Sequence, residues 1–290
     1  MKSGFVSVVG RPNVGKSTLV NALVGAKVVI TSPRPQTTRN TVRGIVDAEG
    51  LQVVLVDTPG LHRPRTALGE RLNRLVEGSL AEADVVLFVL DATQEIGPGD
   101  RLIAARLTSA GTPTIVVSNK IDAAGPDEIT EQLAEAGEWD FVAYVPVSAL
   151  EGDNLTPILT ELEELLPEGP AYFPEGTVTD QPEELLLAEL IREKFLARLR
   201  DELPHSLAVV IEETEEQDNG VVRISARLIV ERDSQKGIII GKGGALIREA
   251  GSEARLEIET LLGAKVFLDL RARVEKDWQQ RPGMIERLGL

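Results

Sequence analysis

The apolar residues of the first 165 positions fall in short unbroken runs: FVSVVG at 5–10, QVVLVD at 52–57, DVVLFVLD at 84–91, PTIVVSNK at 113–120 and FVAYVPVS at 141–148. An unbroken run, rather than an alternating one, marks a strand covered on both faces. Between the runs, the stretches near 16–25, 67–82, 99–110, 127–138 and 154–166 have helical character. Strand and helix in alternation predict an α/β domain with a mostly parallel sheet and right-handed crossovers.

The pattern then breaks at LPEGPAYFPEGTVTDQPEE, which carries Pro167, Pro170, Pro174 and Pro182. Such proline density excludes helix and central strand and predicts a semi-rigid linker. Beyond it, EELLLAELIREKFLARLRDELP reads as a helix that stops at Pro204. SLAVVIEETEEQDNGVVRISARLIVER reads as two strands joined at Asp218-Asn219-Gly220, with 212–218 a solvated acidic turn. GKGGALIREAGSEARLEIETLLGA is a helix pair or one long helix, and KVFLDLRARVEK a further strand. The order helix, strand, strand, helix, helix, strand describes a compact α+β unit. The expected division is 1–168, a linker over 169–183, and 184–290.

Composition narrows the class. The 290 residues suit one large domain or two of ordinary size, and 42% apolar content supplies sizeable cores. With aromatics at 3%, those cores must be built of Val, Leu, Ile and Ala. Cysteine is absent, which removes disulfides and Cys-ligated zinc and fits a reducing cytosol. No run approaches the roughly 20 apolar residues of a membrane span, and no leader pattern opens the chain. The net charge of −15 argues at first against nucleic acid. It is unevenly spread: residues 1–180 hold 14 basic and 25 acidic side chains, net −11, and residues 181–290 hold 17 and 21, net −4. Any RNA contact in the second part needs a local patch.

The chemistry is carried by spaced motifs. GRPNVGKS, from Gly10 to Ser17, matches G-x-x-x-x-G-K-S between an apolar strand and a helix. Its backbone N–H groups at Asn13, Val14, Gly15 and Thr18 suit phosphate oxygens, Lys16 adds charge at the β/γ phosphates, and Ser17 offers a hydroxyl to Mg²⁺. DTPG at 57–60 ends a strand, so Asp57 reaches Mg²⁺ through water and the Gly60 N–H approaches the γ-phosphate. NKID at 119–122 supplies Asn119, Lys120 and Asp122, whose carboxylate accepts from both N1–H and the exocyclic amine of guanine. Adenine has neither donor there, so it leaves a buried charge unpaired. VSAL at 147–150 brings Ser148, Ala149 and Leu150, with the Ala149 N–H a candidate donor to guanine O6. Each tetrapeptide alone is weak; their order, each at a strand end, is specific. The polar stretch TSPRPQTTRNT at 31–41 sits where a switch loop would lie, with Thr38 preferred over Thr37 as an Mg²⁺ ligand.

These motifs, together with QTTRN, DTPGLH, the linker PEGPAYFP…VTDQPEE and ERDSQKGIIIGKGGALI, make the chain resemble the Era-type GTPases, bacterial ribosome-assembly proteins, nearly end to end. The resemblance implies an α/β P-loop GTPase domain followed by an α+β KH domain of type II. It implies slow GTP hydrolysis with Mg²⁺, catalysis leaning on Lys16, Thr38 and Gly60, and an apolar residue, Leu61, where many GTPases carry a water-orienting glutamine. In similar GTPases an asparagine at the place of Asn13 helps hold K⁺; Arg34 and Arg39 are alternative cationic helpers or plain solvated side chains. The implied partners are single-stranded small-subunit ribosomal RNA near its 3′ end and the 30S subunit, bound by a monomer in the cytoplasm. Peripheral association with the cytoplasmic face of the inner membrane belongs to the same family picture.

A second glycine loop, Gly241-Lys242-Gly243-Gly244, lacks the spacing and the Ser/Thr of a phosphate-binding loop for nucleotides and fits Gly-x-x-Gly instead. In a KH domain that loop clamps about four single-stranded nucleotides. Lys236, Lys242 and Arg248 are the candidate phosphate contacts. Ile238 to Ile240 serve either as groove floor or as core, and stacking is thinly supplied, by Phe195, Phe267 and Trp278 alone. Two other classes compete: a metabolic P-loop kinase, which NKID and VSAL oppose, and a GTPase whose second domain binds protein or lipid.

Overall fold

The computed structural model describes residues 1–32, 34, 37–60, 66–200 and 203–290. They gather into two compact units, one drawn from Met1–Asp180 and one from Gln181–Leu290, with the stretches Ile30–Arg34 and Arg65–Leu68 counted in the second.

The first unit holds β1 (Lys2–Val9), β2 (Val42–Ala48), β3 (Leu51–Asp57), β4 (Val85–Asp91), β5 (Thr114–Asn119) and β6 (Ala143–Val147) in the order β2-β3-β1-β4-β5-β6. Neighbours are parallel except β2, which runs antiparallel to β3. The helices are α1 (Lys16–Val24), α2 (Ala67–Glu82), α3 (Pro98–Ala110), α4 (Pro126–Gly137) and α5 (Thr156–Leu165). β3, β4 and β5 are buried at every position, because both faces are covered. Successive β4 residues divide between two cores. Val85, Leu87 and Val89 join one with Leu19 of α1 and Ile158 of α5; Val86, Phe88 and Leu90 join the other with Ile103 of α3 and Ala136 of α4.

β2 lies outside the expected strand set. It is an edge strand with a half-exposed burial pattern, so its apolar residues form no unbroken run. The proline-rich stretch lies along this edge rather than hanging free. The Ile45 N–H donates to Val178 O at 2.9 Å, and the Ser3 N–H to Pro167 O at 3.1 Å. Fully buried Gln52 accepts from the Tyr172 and Phe173 N–H groups and donates to Phe173 O. An open strand edge is thereby satisfied.

The second unit contains α6 (Glu183–Leu196), α7 (Leu203–Ser206), β7 (Ala208–Glu216), β8 (Val221–Val230), α8 (Asp233–Ile240), α9 (Ala245–Leu262), β9 (Lys265–Val274) and α10 (Pro282–Arg287). β7 pairs antiparallel and β9 parallel with β8. Alternate β8 residues Ile224, Ala226, Leu228 and Val230 meet Leu187 and Ile191 of α6 and Ala250, Ala254 and Ile258 of α9 in one core. Three local expectations change. The first helix ends at Leu196, and Pro204 lies inside short α7. Glu212–Glu216 are exposed but extended within β7, since pairing with β8 continues to Glu216. α8 precedes the second glycine loop and takes up 237–240, with Ile239 fully buried and Ile238 exposed.

Candidate nucleotide and RNA sites

In the first unit, β1 lies between β3 and β4, so chain direction across the sheet reverses there. The crevice beyond the carboxyl ends of the strands at such a point is where ligands bind in open α/β sheets. The loop from Gly10 to Gly15 leaves β1 into this crevice. Gly15 has φ +95, and a Cβ there would fall 2.2 Å from Asn119 Nδ2, so no side chain fits. The buried Lys16 ammonium donates to Gly10 O at 3.1 Å and Arg11 O at 2.9 Å, which aims it across the loop mouth. Burial lowers its pKa to about 8, opposed by the nearby Asp57 carboxylate. Asn13, at φ +67, is exposed, and Thr18 is half-buried in the first turn of α1.

Three oxygens from separate segments converge beside the loop. Ser17 Oγ donates to Asp57 Oδ2 at 2.8 Å, Thr38 Oγ1 donates to the same oxygen at 3.0 Å, and the two hydroxyls stand 3.1 Å apart. Asp57 is fully buried, and its Oδ1 finds no hydrogen-bond partner among the described residues. Burial pushes its carboxyl above the ordinary aspartate range, against Lys16, Ser17 and Thr38, which favour the charged form. A buried carboxylate with an unsatisfied oxygen and two adjacent hydroxyls suits a hard divalent cation. Among the described residues no group of three His, Cys, Asp or Glu could hold a metal alone.

Gly60 follows the β3 end, and a Cβ on it would lie 2.9 Å from the Pro12 backbone, so the two loops touch at main-chain distance. Arg39 is buried rather than solvated, and Arg34 donates through Nη2 to Leu199 O at 2.9 Å. Leu61, and the rest of 61–65, lie outside the described residues.

The base motifs close the other side. Asn119 Nδ2 donates to Val14 O at 2.9 Å, and Lys120 Nζ donates to Asn13 O at 2.8 Å, so β5 holds the phosphate loop directly. Asp122 Oδ1 accepts from Ser148 Oγ at 2.6 Å. The Ala149 N–H, expected as a donor to the base, donates here to Asn119 Oδ1 at 3.0 Å. Leu150 is 74% exposed and offers a lid of apolar surface rather than a bond. Sequence reasoning passed over the residues behind these motifs. Asp91 Oδ2 accepts from Lys120 Nζ at 2.6 Å, and Asp100 Oδ1 accepts from Arg11 Nε at 2.8 Å. A signal for Asp91 exists: like Asp57, it is a carboxylate ending a fully buried strand on the ligand edge of the sheet.

In the second unit α8 stops at Gly241, whose φ of +76 only glycine adopts readily; a Cβ there would meet Leu246 N at 2.8 Å. Gly243 and Gly244 also have positive φ, and Lys242 and Gly243 are exposed. The Arg248 guanidinium lies over Gly244, while Lys236 is half-buried on α8. Beside the loop runs a groove of about 560 Å³ between α9 and β9, lined by Arg248, Gly251, Arg255, Phe267 and Leu270 among others. Gly251 allows the close approach, because a Cβ there would press on Leu270 at 3.0 Å. Arg255 is a groove residue that no motif indicated, and Phe267, one of the three aromatics considered for stacking, lines the groove with it. Phe267 is 56% exposed, with the Arg223 guanidinium 6.0 Å from its ring centroid. Trp278 only packs: it is fully buried and donates to Ser206 O.

Residues 5–120 match the 50S ribosome-binding GTPase family model, and residues 202–279 match the KH domain model. The chain is 55% identical to GTPase Era of Mycolicibacterium paratuberculosis, covering 99% of this chain and 98% of that protein. It is 54% identical, with the same coverage, to GTPase Era of Mycobacterium tuberculosis. A crystal structure of a point variant of Aquifex aeolicus Era bound to GDP·AlF4⁻ superposes with TM-score 0.96 at 40% identity over 100% of this chain and 99% of that one. A crystal structure of Era with MgGDPNP and nucleotides 1506–1542 of 16S ribosomal RNA does so with TM-score 0.96 at 41% identity and the same coverage. Among the described residues no helix is long and apolar enough to cross a membrane.

Proposed function

The chain belongs to the Era family of GTPases, and from that premise we propose that it binds GTP, hydrolyses it with Mg²⁺, and holds the 3′ region of small-subunit ribosomal RNA during assembly of the 30S subunit. The observation that carries this reading is the convergence of Ser17, Thr38 and Asp57 beside Lys16, joined through Asn119 and Lys120 to a base pocket headed by Asp122. An exposed Gly-x-x-Gly loop and basic groove stand in the second unit.

In the proposed mechanism Asp122 accepts two hydrogen bonds from guanine and Ser148 steadies the carboxylate. The backbone N–H groups of residues 13–18 and the Lys16 ammonium hold the β- and γ-phosphates. Ser17 and Thr38 would ligate Mg²⁺, with Asp57 reaching it through water; the ion, when bound, offsets charge developing on the phosphate oxygens. A water oxygen attacks the γ-phosphorus as the bond to the bridging oxygen breaks, giving GDP and phosphate. Gly60 offers its N–H to the γ-phosphate. A leucine at position 61 cannot orient the water by hydrogen bonding, so turnover is slow. Asn13 would supply a ligand to K⁺, which when bound would add a positive charge at the phosphates. Thr38 would ligate Mg²⁺ only while the γ-phosphate is present, and loss of that ligation on hydrolysis is the switch that alters RNA holding.

On the RNA side, the main chain of 241–244 approaches the sugar-phosphate backbone, with Lys236, Lys242 and Arg248 on phosphates. The protein works as a cytoplasmic monomer. The test is crosslinking of the full chain to a 16S 3′-terminal oligonucleotide, loaded with a non-hydrolysable GTP analogue or with GDP. Nucleotide-dependent yield supports the reading, and equal yield in both states removes the switch.

A further inference from the structure

We propose that Asp91, which lies in none of the guanine-nucleotide motifs, is a positioning residue for Lys120 and thereby fastens the base pocket to the phosphate loop. This rests on the GTPase reading above and adds a residue to it.

Asp91 is the last residue of β4 and is 2% exposed. Its Oδ2 accepts from Lys120 Nζ at 2.6 Å and from Gln94 Nε2 at 3.1 Å, while Oδ1 accepts from the Thr93 hydroxyl at 2.6 Å and the Thr93 N–H at 3.1 Å. Lys120 Nζ also donates to Asn13 O at 2.8 Å. One ammonium thus joins a carboxylate behind the sheet edge to a carbonyl of the phosphate loop. Lys120, at one end of that link, carries unfavourable backbone, φ +72, whereas Asn13, at φ +67, is of a type that tolerates it. Left-handed conformation disfavours a lysine, so local preference does not hold Lys120 in place and a tertiary bond must.

The main chain of Asp91 is itself held by a neighbouring helix. Gln132 of α4, 6% exposed, donates to Asp91 O at 2.7 Å and Gln94 O at 2.9 Å, and accepts from Ser118 Oγ at 2.6 Å. The order of support is therefore Gln132, Asp91, Lys120, Asn13. Burial works to raise the Asp91 carboxyl, but the hydrogen bonds from Lys120 and Thr93 outweigh it and keep it below the ordinary aspartate range. A charge-assisted bond of this kind is worth more than a neutral one, and losing it leaves a flexible lysine to be ordered at each binding event. The cost falls on holding nucleotide of either phosphate number, not on the chemical step.

The test compares wild type with Asp91→Asn, which keeps an oxygen for Thr93 and removes the charge facing Lys120. Affinity is read with fluorescent GDP and a non-hydrolysable GTP analogue, and hydrolysis under saturating GTP. The expected result is a rise of about tenfold in both dissociation constants, carried by faster release, with kcat within about twofold. In a cycle with Lys120→Met, the double variant binds no worse than Lys120→Met alone, because both changes cut the same link. Additive losses, or unchanged affinity in Asp91→Asn, overturn the role. Independently of any variant, the Lys120 ammonium of the GDP-bound wild type should give a slowly exchanging NMR signal; a freely rotating, fast-exchanging one overturns the role as well. ATP in the same binding assay separates this inference from its premise. Wild type that took ATP as tightly would remove the guanine pocket itself, whereas guanine preference with an indifferent Asp91→Asn removes only Asp91.

Discussion

The two glycine loops of this protein use the same backbone chemistry and differ in what stands behind it. The loop at Gly10–Gly15 is enclosed: Lys16 is buried, Val14 and Asn13 carbonyls are held by Asn119 and Lys120, and a Cβ on Gly15 has nowhere to go. The loop at Gly241–Gly244 is open: Lys242 is exposed, and a Cβ on Gly243 would meet nothing within 4 Å. Enclosure selects one molecule, because every unpaired buried group penalises the wrong ligand. On the proposed reading openness suits a polymer, because a Gly-x-x-Gly loop specifies only the backbone approach and an adjoining groove is left for bases.

The largest effect that would break this contrast is at the enclosed loop. Lys16→Met removes the buried cation and should lower GTP hydrolysis by about 100-fold or more, from a lost charged hydrogen bond in the ground state and further loss as charge develops. RNA binding by the nucleotide-free protein should stay within a factor of about two, measured by gel shift. If RNA binding falls in parallel, the loops are not chemically separate.

Next comes the converse change. Gly243→Asp with Gly244→Asp sets two carboxylates, on backbone with positive φ, against RNA phosphates. RNA affinity should fall by roughly tenfold or more, with hydrolysis measured without RNA unchanged. Persistence of full RNA affinity would show that the open loop is idle.

Proton linkage sharpens the contrast further. Burial leaves the free Lys16 with a pKa of about 8, while bound phosphates favour its charged form. Above that pH, nucleotide binding must take up a proton, so GDP affinity should weaken as pH rises through about 8, seen by titration calorimetry in buffers of different ionisation heat. For stability the pH trend runs the other way: the unfolded lysine keeps the ordinary value of 10.5, so the burial penalty is fully present below about 8 and is lost progressively as pH rises from about 8 towards 10.5. The smallest effect is at the groove: Arg255→Ala should weaken RNA binding a few-fold and reduce its salt slope by about 1.

Sequence pattern was most readable where structure is local. Buried parallel strands announce themselves as unbroken apolar runs, and β3, β4 and β5 do so. β2 does not, since one of its sides faces outward, and α10, a single short turn-like element after Pro282, carries no periodicity long enough to read. The extended Glu212–Glu216 looked like a turn because exposed strand ends are as polar as loops. The site divides in the same way. Ser17, Asp57, Asn119 and Asp122 belong to contiguous motifs, and the structure sets Ser17 and Asp57 within one hydrogen bond. Asp91, Asp100 and Gln132 bond across 29, 89 and 41 positions of chain, respectively, and such partners leave no short pattern. Arg255 and Phe267 become groove neighbours only when α9 packs on β9.

The enclosed pocket is tested most directly by nucleotide competition on wild type and Asp122→Asn. Wild type should prefer GTP to ATP by at least about 100-fold, and the asparagine, which donates where aspartate accepts, should lose GTP and gain XTP. Equal retention of GTP and ATP by wild type, or an Asp122→Asn variant that still prefers GTP, would contradict the account.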